Sequence, residues 1–309
     1  MAGETLGALE EEEPDSRAPG PQTLAAFLVM VAIAGGNAVA IRFSSCDSCE
    51  LDAFWGAAFR FLLATAVCAL LMLVLRVPLP RGRELQGAFL YGALTFGAGF
   101  GFIYWGLERS PASIGAVLLA TGPLLTFIVA VLHRQESFRW DGLIGGLLAI
   151  AGSTVVVLSG LDLDVPLGSL LAIVAGALCW AEAAIVVKAY PRPHPLAMNA
   201  VGMGIGTVIL LLLTVIFGSD YVMPENATTW KAIVYLVVLG SVVVFVLYLY
   251  VLKSWTASAT SYEFVLIPIF GILYSAWLLD EEITVQFVVG SLLILLGVYF
   301  GAIRHRKVV

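Results

Sequence analysis

The chain of 309 residues is 60% hydrophobic and 12% charged, with a formal net charge of −6. Soluble domains average roughly 45–50% apolar and about 25% charged residues, and one of this length could not enclose so much apolar surface. Soluble enzymes and nucleic-acid binders are thereby excluded, and an all-α polytopic membrane protein lying in a lipid bilayer is expected.

Residues 1–22 read as a disordered acidic tail, too polar and too rich in Pro and Gly to bury a core. Six of the 22 acidic residues fall there, so the net charge points to no partner. No basic n-region precedes the first apolar block, which is therefore expected to stay as a membrane helix. Ten apolar blocks follow, each near the ~20 residues that cross ~30 Å of hydrocarbon. They lie at about 24–44, 53–75, 85–106, 112–133, 141–159, 167–188, 196–217, 231–252, 257–279 and 285–303. Residues 305–309 form a short basic tail.

Cys46 and Cys49 make a C-x-x-C between the first two blocks, weak evidence for a redox or metal site without histidines, and a disulfide there stays open. Cys68 and Cys179 lie in apolar runs, where cysteine is a small packing residue. No metal or cofactor is expected: Walker, H-E-x-x-H, G-x-S-x-G and zinc patterns are absent from the sequence. Asn226 begins an N-x-T sequon. Twelve Lys and Arg residues fall in the loops that share a side with both termini, against Arg42, Arg109 and Lys231 on the other. The positive-inside rule then places both termini in the cytoplasm of a cell membrane.

Sliding the chain on itself by 145 residues superposes Pro123 on Pro268, Glu136 on Glu281, Gly145 on Gly290 and Gly152 on Gly297. Each copy holds five spans, an odd number, so the second enters the membrane upside down. Inverted repeats of this kind are usual in secondary transporters. The segment "GLERSPASIGAVLLATGPLLTFIVAVLHRQE" with "GGLLAIAGSTVVVL", repeated as "KSWTASATSYEFVLIPIFGILYSAWLLDEE" with "GSLLILLGVYFG", resembles the EamA domain of the drug/metabolite transporter superfamily. "FWGAAFRFLLA" is similar to that family's second helix, although "AGGNA" stands where its first helix usually has Trp-Gly. The resemblance implies ten transmembrane helices in a 5+5 inverted repeat, with copies at 23–160 and 166–304. It further implies export of small organic metabolites through a cavity lined by helices 1, 3, 4, 6, 8 and 9, with helices 5 and 10 supporting from outside.

Four strongly polar residues lie well inside spans: Asn37, Arg60, Glu182 and Glu263. Each charge costs roughly 2.5–3.5 kcal/mol on insertion scales, which makes it a functional candidate. At 1.5 Å per residue, Arg60 sits about 10 Å below the outer edge and Glu182 about 9 Å from the inner one, too far apart in depth for an easy pair. Arg60 is expected to snorkel outward or to meet backbone carbonyls or acidic outer loops. Glu263 shares the depth of Glu182, so the two carboxylates are expected to exchange a proton or bind a substrate amine. As plainer alternatives, Glu182 bonds Lys188 or a neighbouring helix, and Glu263 reaches Lys253 or water. Asn37 is the repeat mate of Glu182.

Phe96, Phe100 and Tyr104, with Phe89 seven residues earlier, mark one face of the third span. With Tyr248 and Tyr262 they are candidates for lining a cavity, or for plain packing. Pro123 and Pro268 are hinge candidates because each frees a carbonyl. Glu136 and Glu281 are expected to anchor or cap helix ends. The sequence reads as a secondary active transporter, not an enzyme. It would export amino acids or amphipathic compounds by alternating access, with proton coupling open, as a monomer or homodimer whose partners are a small-molecule substrate and the bilayer. The alternatives are an uncoupled facilitator, a channel, and a membrane-embedded lipid enzyme. The last would need a nucleophile–base or metal cluster that His133, His194 and His305, all at inner helix ends, do not supply.

Overall fold

A computed structural model describes residues 20–44, 52–110, 112–157, 166–218, 220–279 and 283–303. Cys46, Cys49, Glu281 and His305, and with them the C-x-x-C motif, lie outside the described residues. Regular structure among the described residues is helical throughout. The first five spans give α1 (Pro21–Ser44), α2 (Ala53–Leu75), α3 (Arg83–Leu107), α4 (Ala112–Leu119), α5 (Gly122–Leu132) and α6 (Trp140–Val157). The second five give α7 (Leu167–Ala189), α8 (Pro195–Phe217), α9 (Ala227–Ser254), α10 (Ala257–Thr260), α11 (Glu263–Leu279) and α12 (Val285–Ile303). Pro21 and Gln22, read from sequence as tail, open α1, where a proline's fixed φ suits the first turn.

Among the described residues, eight spans are long and apolar enough to cross a membrane, with α4–α5 and α10–α11 each counted as one. The apolar stretches of α1 and α6, Pro21–Asn37 and Trp140–Val156, are shorter. Polar caps set the helix ends. Asp52 accepts from Phe54 N at 3.0 Å, Asn226 from Thr229 N at 2.8 Å, and Thr284 from Phe287 N at 3.2 Å. The sequon asparagine is therefore a helix cap here.

Helices gain no hydrophobic energy from one another in lipid, so small residues that let backbones approach decide the packing. A Cβ on Gly92 of α3 would run into the backbone of Gly202 on α8, and Gly152 of α6 faces Gly290 of α12 in the same way. α2 pairs with α8, and α6 with α12. α1 packs against α9 and α11, while α7 packs against α3, α4 and α5. We call the end where α1 begins the near face; it also holds residues 133–139, 190–194 and 255–256. The far face holds residues 108–110 and 220–226.

Two kinds of break interrupt the helices. Residues 93–99 of α3 and 238–243 of α9 form π-helical turns. These segments begin 145 residues apart, the offset of the sequence repeat. The prolines are not used alike, contrary to the symmetric kinks expected. Pro123 starts α5 after a turn at 120–121, whereas Pro268 lies inside α11 and the chain breaks earlier, at 261–262.

Candidate functional site

Two polar clusters sit inside the bundle, one toward each face. In the far half, Arg60 of α2 is 8% exposed. Its Nε donates to Ser241 Oγ and its Nη2 to Gly240 O, each at 2.7 Å. Both acceptors belong to the π segment of α9. A π turn takes a carbonyl out of the regular ladder and leaves it free to accept from outside. Asn37 of α1 reaches the same Gly240 oxygen through Nδ2 at 3.4 Å, and its Oδ1 is buried without a partner. A Cβ on Gly240 would displace the Asn37 amide, so glycine leaves room for it. Tyr104 and Tyr235 lie within electrostatic reach of the guanidinium. Of the sequence expectations for Arg60, the carbonyl contact is the one formed; the side chain turns inward and does not snorkel. Among the described residues no carboxylate pairs with it.

Toward the near face, Glu263 opens α11 just after the chain break. The helix dipole favours a carboxylate at that end. It is 7% exposed and makes no hydrogen bond or ion pair among the described residues. Tyr91 of α3 and Tyr248 of α9 lie within its electrostatic reach. Tyr91 donates to Asn199 Oδ1 at 3.3 Å, and the Asn199 amide nitrogen is buried without a partner.

Glu182 has different surroundings. It is partly exposed, and its Oε1 lies 3.2 Å from His133 Nε2, an ion pair when the imidazole is protonated. No hydrogen bond joins Glu182 to Glu263 among the described residues; the partner comes from a neighbouring helix. Two more bonds tie the same corner. Gln135 Nε2 donates to Ile185 O at 3.0 Å, and Glu136 accepts from Ser258 N at 3.0 Å and Ser258 Oγ at 2.5 Å. Glu136 does cap a helix, but the one it caps is α10 in the second copy. Together the end of α5 latches α7 and α10 at the near face.

Aromatic rings fill the space between the clusters. Phe96 is fully buried, edge-on to Phe61, Tyr91 and Phe245, so it packs the core. Phe100 contacts Tyr104 and meets Trp180 edge-on, with centroids 5.8 and 5.2 Å apart. Phe89 is exposed, off the face it was expected to share, because the π segment adds a residue between it and Phe96. Tyr262 is 2% exposed, its hydroxyl wedged against Gly145 and Gly301 where α6 crosses α12.

Sequence reasoning missed Trp180, which stacks on Phe264 at 5.0 Å and donates from Nε1 to Thr95 O at 3.0 Å. A buried indole usually needs an acceptor, so its place in an apolar run was a usable signal. Tyr91, Asn199 and His133 carried no such signal. A cavity of about 480 Å³ opens between α1, α9 and α11, lined by Gly36, Ala40, Thr228, Lys231, Ala232, Tyr235, Tyr274, Trp277 and Leu278. Tyr235 closes its inner wall by donating to Ile33 O at 2.8 Å.

The fold and these clusters define a polytopic membrane protein with lone charges held inside its bundle, a setting in which such residues mark solute or ion paths. The chain belongs to the EamA-like transporter family, whose profile matches residues 22–158 and 167–302. It is 29% identical over 264 residues to an uncharacterized transporter, YyaM, of Bacillus subtilis (strain 168), covering 81% of this chain and 85% of the relative. An uncharacterized inner membrane transporter, YedA, of Escherichia coli (strain K12) is 28% identical, over 74% of each chain. A "probable terminal-alkyne amino-acid exporter" of Streptantibioticus cattleyicolor is 26% identical, over 75% of this chain and 78% of the relative. A solved crystal structure shares the fold, with a TM-score of 0.74 at 17% identity over 90% of this chain and 96% of the other.

Proposed function

We propose that the protein is a secondary active transporter exporting small organic metabolites, amino acids or amphipathic compounds. It works by alternating access of two inverted five-helix repeats, with both termini in the cytoplasm. The observation that carries this reading is the matched pair of π breaks at 93–99 and 238–243, in helices that exchange roles between the copies. The helix pairing supports it as well, since α1 with α9 and α11 mirrors α7 with α3, α4 and α5. The printed name of the Streptantibioticus relative supports amino acids as cargo.

In the conformation described, the near face is latched by His133–Glu182, Gln135–Ile185 and Glu136–Ser258. Releasing that latch admits water toward Glu263, which then exchanges a proton, while Glu182 changes partner as the latch opens. Flux in proteoliposomes, screened over amino acids, amines and nucleosides with and without a pH gradient, tests the reading. Glu263→Gln is expected to abolish the response to the gradient while solute exchange persists. A variant that still follows the gradient sinks the coupling step. Saturable flux in the native protein that ignores the gradient would make it a facilitator, and flux that never saturates a channel.

A further inference from the structure

Arg60 is the buried charge that the latch and the proton step leave unused. It is 8% exposed, and both hydrogen bonds it makes end on neutral atoms of α9. A buried cation whose partners are all neutral keeps much of its desolvation cost, and an anion on the guanidinium would offset it. The second terminal nitrogen, Nη1, makes no hydrogen bond among the described residues, and guanidinium geometry suits a carboxylate approaching side-on. Beside it, Asn37 Oδ1 is a buried acceptor with nothing to accept from, which suits a donor carried next to that carboxylate.

The cavity supplies an approach. Of the nine described residues lining it, Lys231 is the charged one, and its ammonium offers an anion a contact there. Its wall residue Tyr235 lies within electrostatic reach of Arg60, and Gly36 of that wall adjoins Asn37 in α1.

We infer that Arg60 binds the carboxylate of the transported solute, which enters past Lys231 and Tyr235 and takes Asn37 as a second contact. This rests on the transporter reading above and narrows its cargo to carboxylic acids, either amino acids or plain organic acids.

Calorimetry on the purified full-length protein in lipid nanodiscs tests it with L-phenylalanine and 3-phenylpropionate, each against its methyl ester. The native protein is expected to bind at least one acid about tenfold or more tighter than its ester, a gap of about 1.4 kcal/mol. Arg60→Gln is expected to erase that gap, chiefly by weakening the acid. Preference for phenylalanine over phenylpropionate identifies amino acids, and equal affinity identifies plain acids. Should Arg60→Gln fail to fold, Ser241→Ala, which removes one of the two bonds that aim the guanidinium, is expected to narrow the gap severalfold. Native protein that binds neither acid, or acid and ester alike, overturns the inference. So does a folded Arg60→Gln or Ser241→Ala variant that keeps the whole gap. Acid-selective binding without flux in proteoliposomes would sink the transporter reading and leave the site standing.

Discussion

α3 and α9 carry the same backbone device and use it with unlike chemistry. Each loosens into a π turn near its middle, at positions one repeat apart, and each offers a carbonyl to a side chain from another helix. In α3 the acceptor is Thr95 O and the donor a neutral indole, Trp180. In α9 the acceptor is Gly240 O, the equivalent residue 145 positions later, and the donors are Arg60 and Asn37. The copies therefore share geometry but not charge. One holds an enclosed guanidinium toward the far face and the other an enclosed carboxylate, Glu263, toward the near face. Opposite lone charges thus lie toward opposite faces of the bundle.

Forcing the device to fail in one copy should separate the two. Gly240→Val puts a branched side chain where the Asn37 amide lies, and is expected to cost about 1–3 kcal/mol or more by overpacking. Fluorescence-monitored thermal unfolding should register it as the largest drop of the series. Glu136→Ala strips the acceptor from Ser258 N and Oγ, and at about 1.5–3 kcal/mol for bonds to a charged group it should rank close behind. Glu136→Gln, which keeps an acceptor oxygen, should recover more than half of that loss in the same melt. Trp180→Phe preserves a ring on Phe264 and removes only the bond to Thr95 O, for about 1 kcal/mol. If Trp180→Phe proves as damaging as Gly240→Val, the α3 break is no less demanding than the α9 break, and the contrast collapses. His133→Ala removes a half-exposed pair and should shift the melt by no more than about 1 kcal/mol. Its effect should appear in flux instead, as a latch that no longer closes.

Much of the architecture was legible because hydropathy and repeat are local or nearly local signals. Helix limits such as Ala53–Leu75 and Val285–Ile303 agree with the sequence expectation to the residue or nearly so, since each is fixed by apolar length and a polar cap. The candidate site was legible residue by residue but not in its partners. Depth arithmetic correctly kept Arg60 from Glu182, then offered Glu263 as a partner, because depth says nothing about rotation about the helix axis. Rotation turns Glu182 to His133 at the surface and Glu263 into the bundle. Phe89 left its expected face for a related reason: a 3.6-residue period was carried across a π turn that does not keep it.

The sequence by itself determined that this is a polytopic membrane protein of the EamA-like transporter family, where its helices run and which charges lie inside them. Those properties follow from composition, spacing and a repeat, all read along one dimension. Only the tertiary structure decided which carbonyl receives Arg60, which imidazole receives Glu182 and which amide lies against Gly240. Those outcomes depend on how helices far apart in the chain are rotated and how closely their backbones meet.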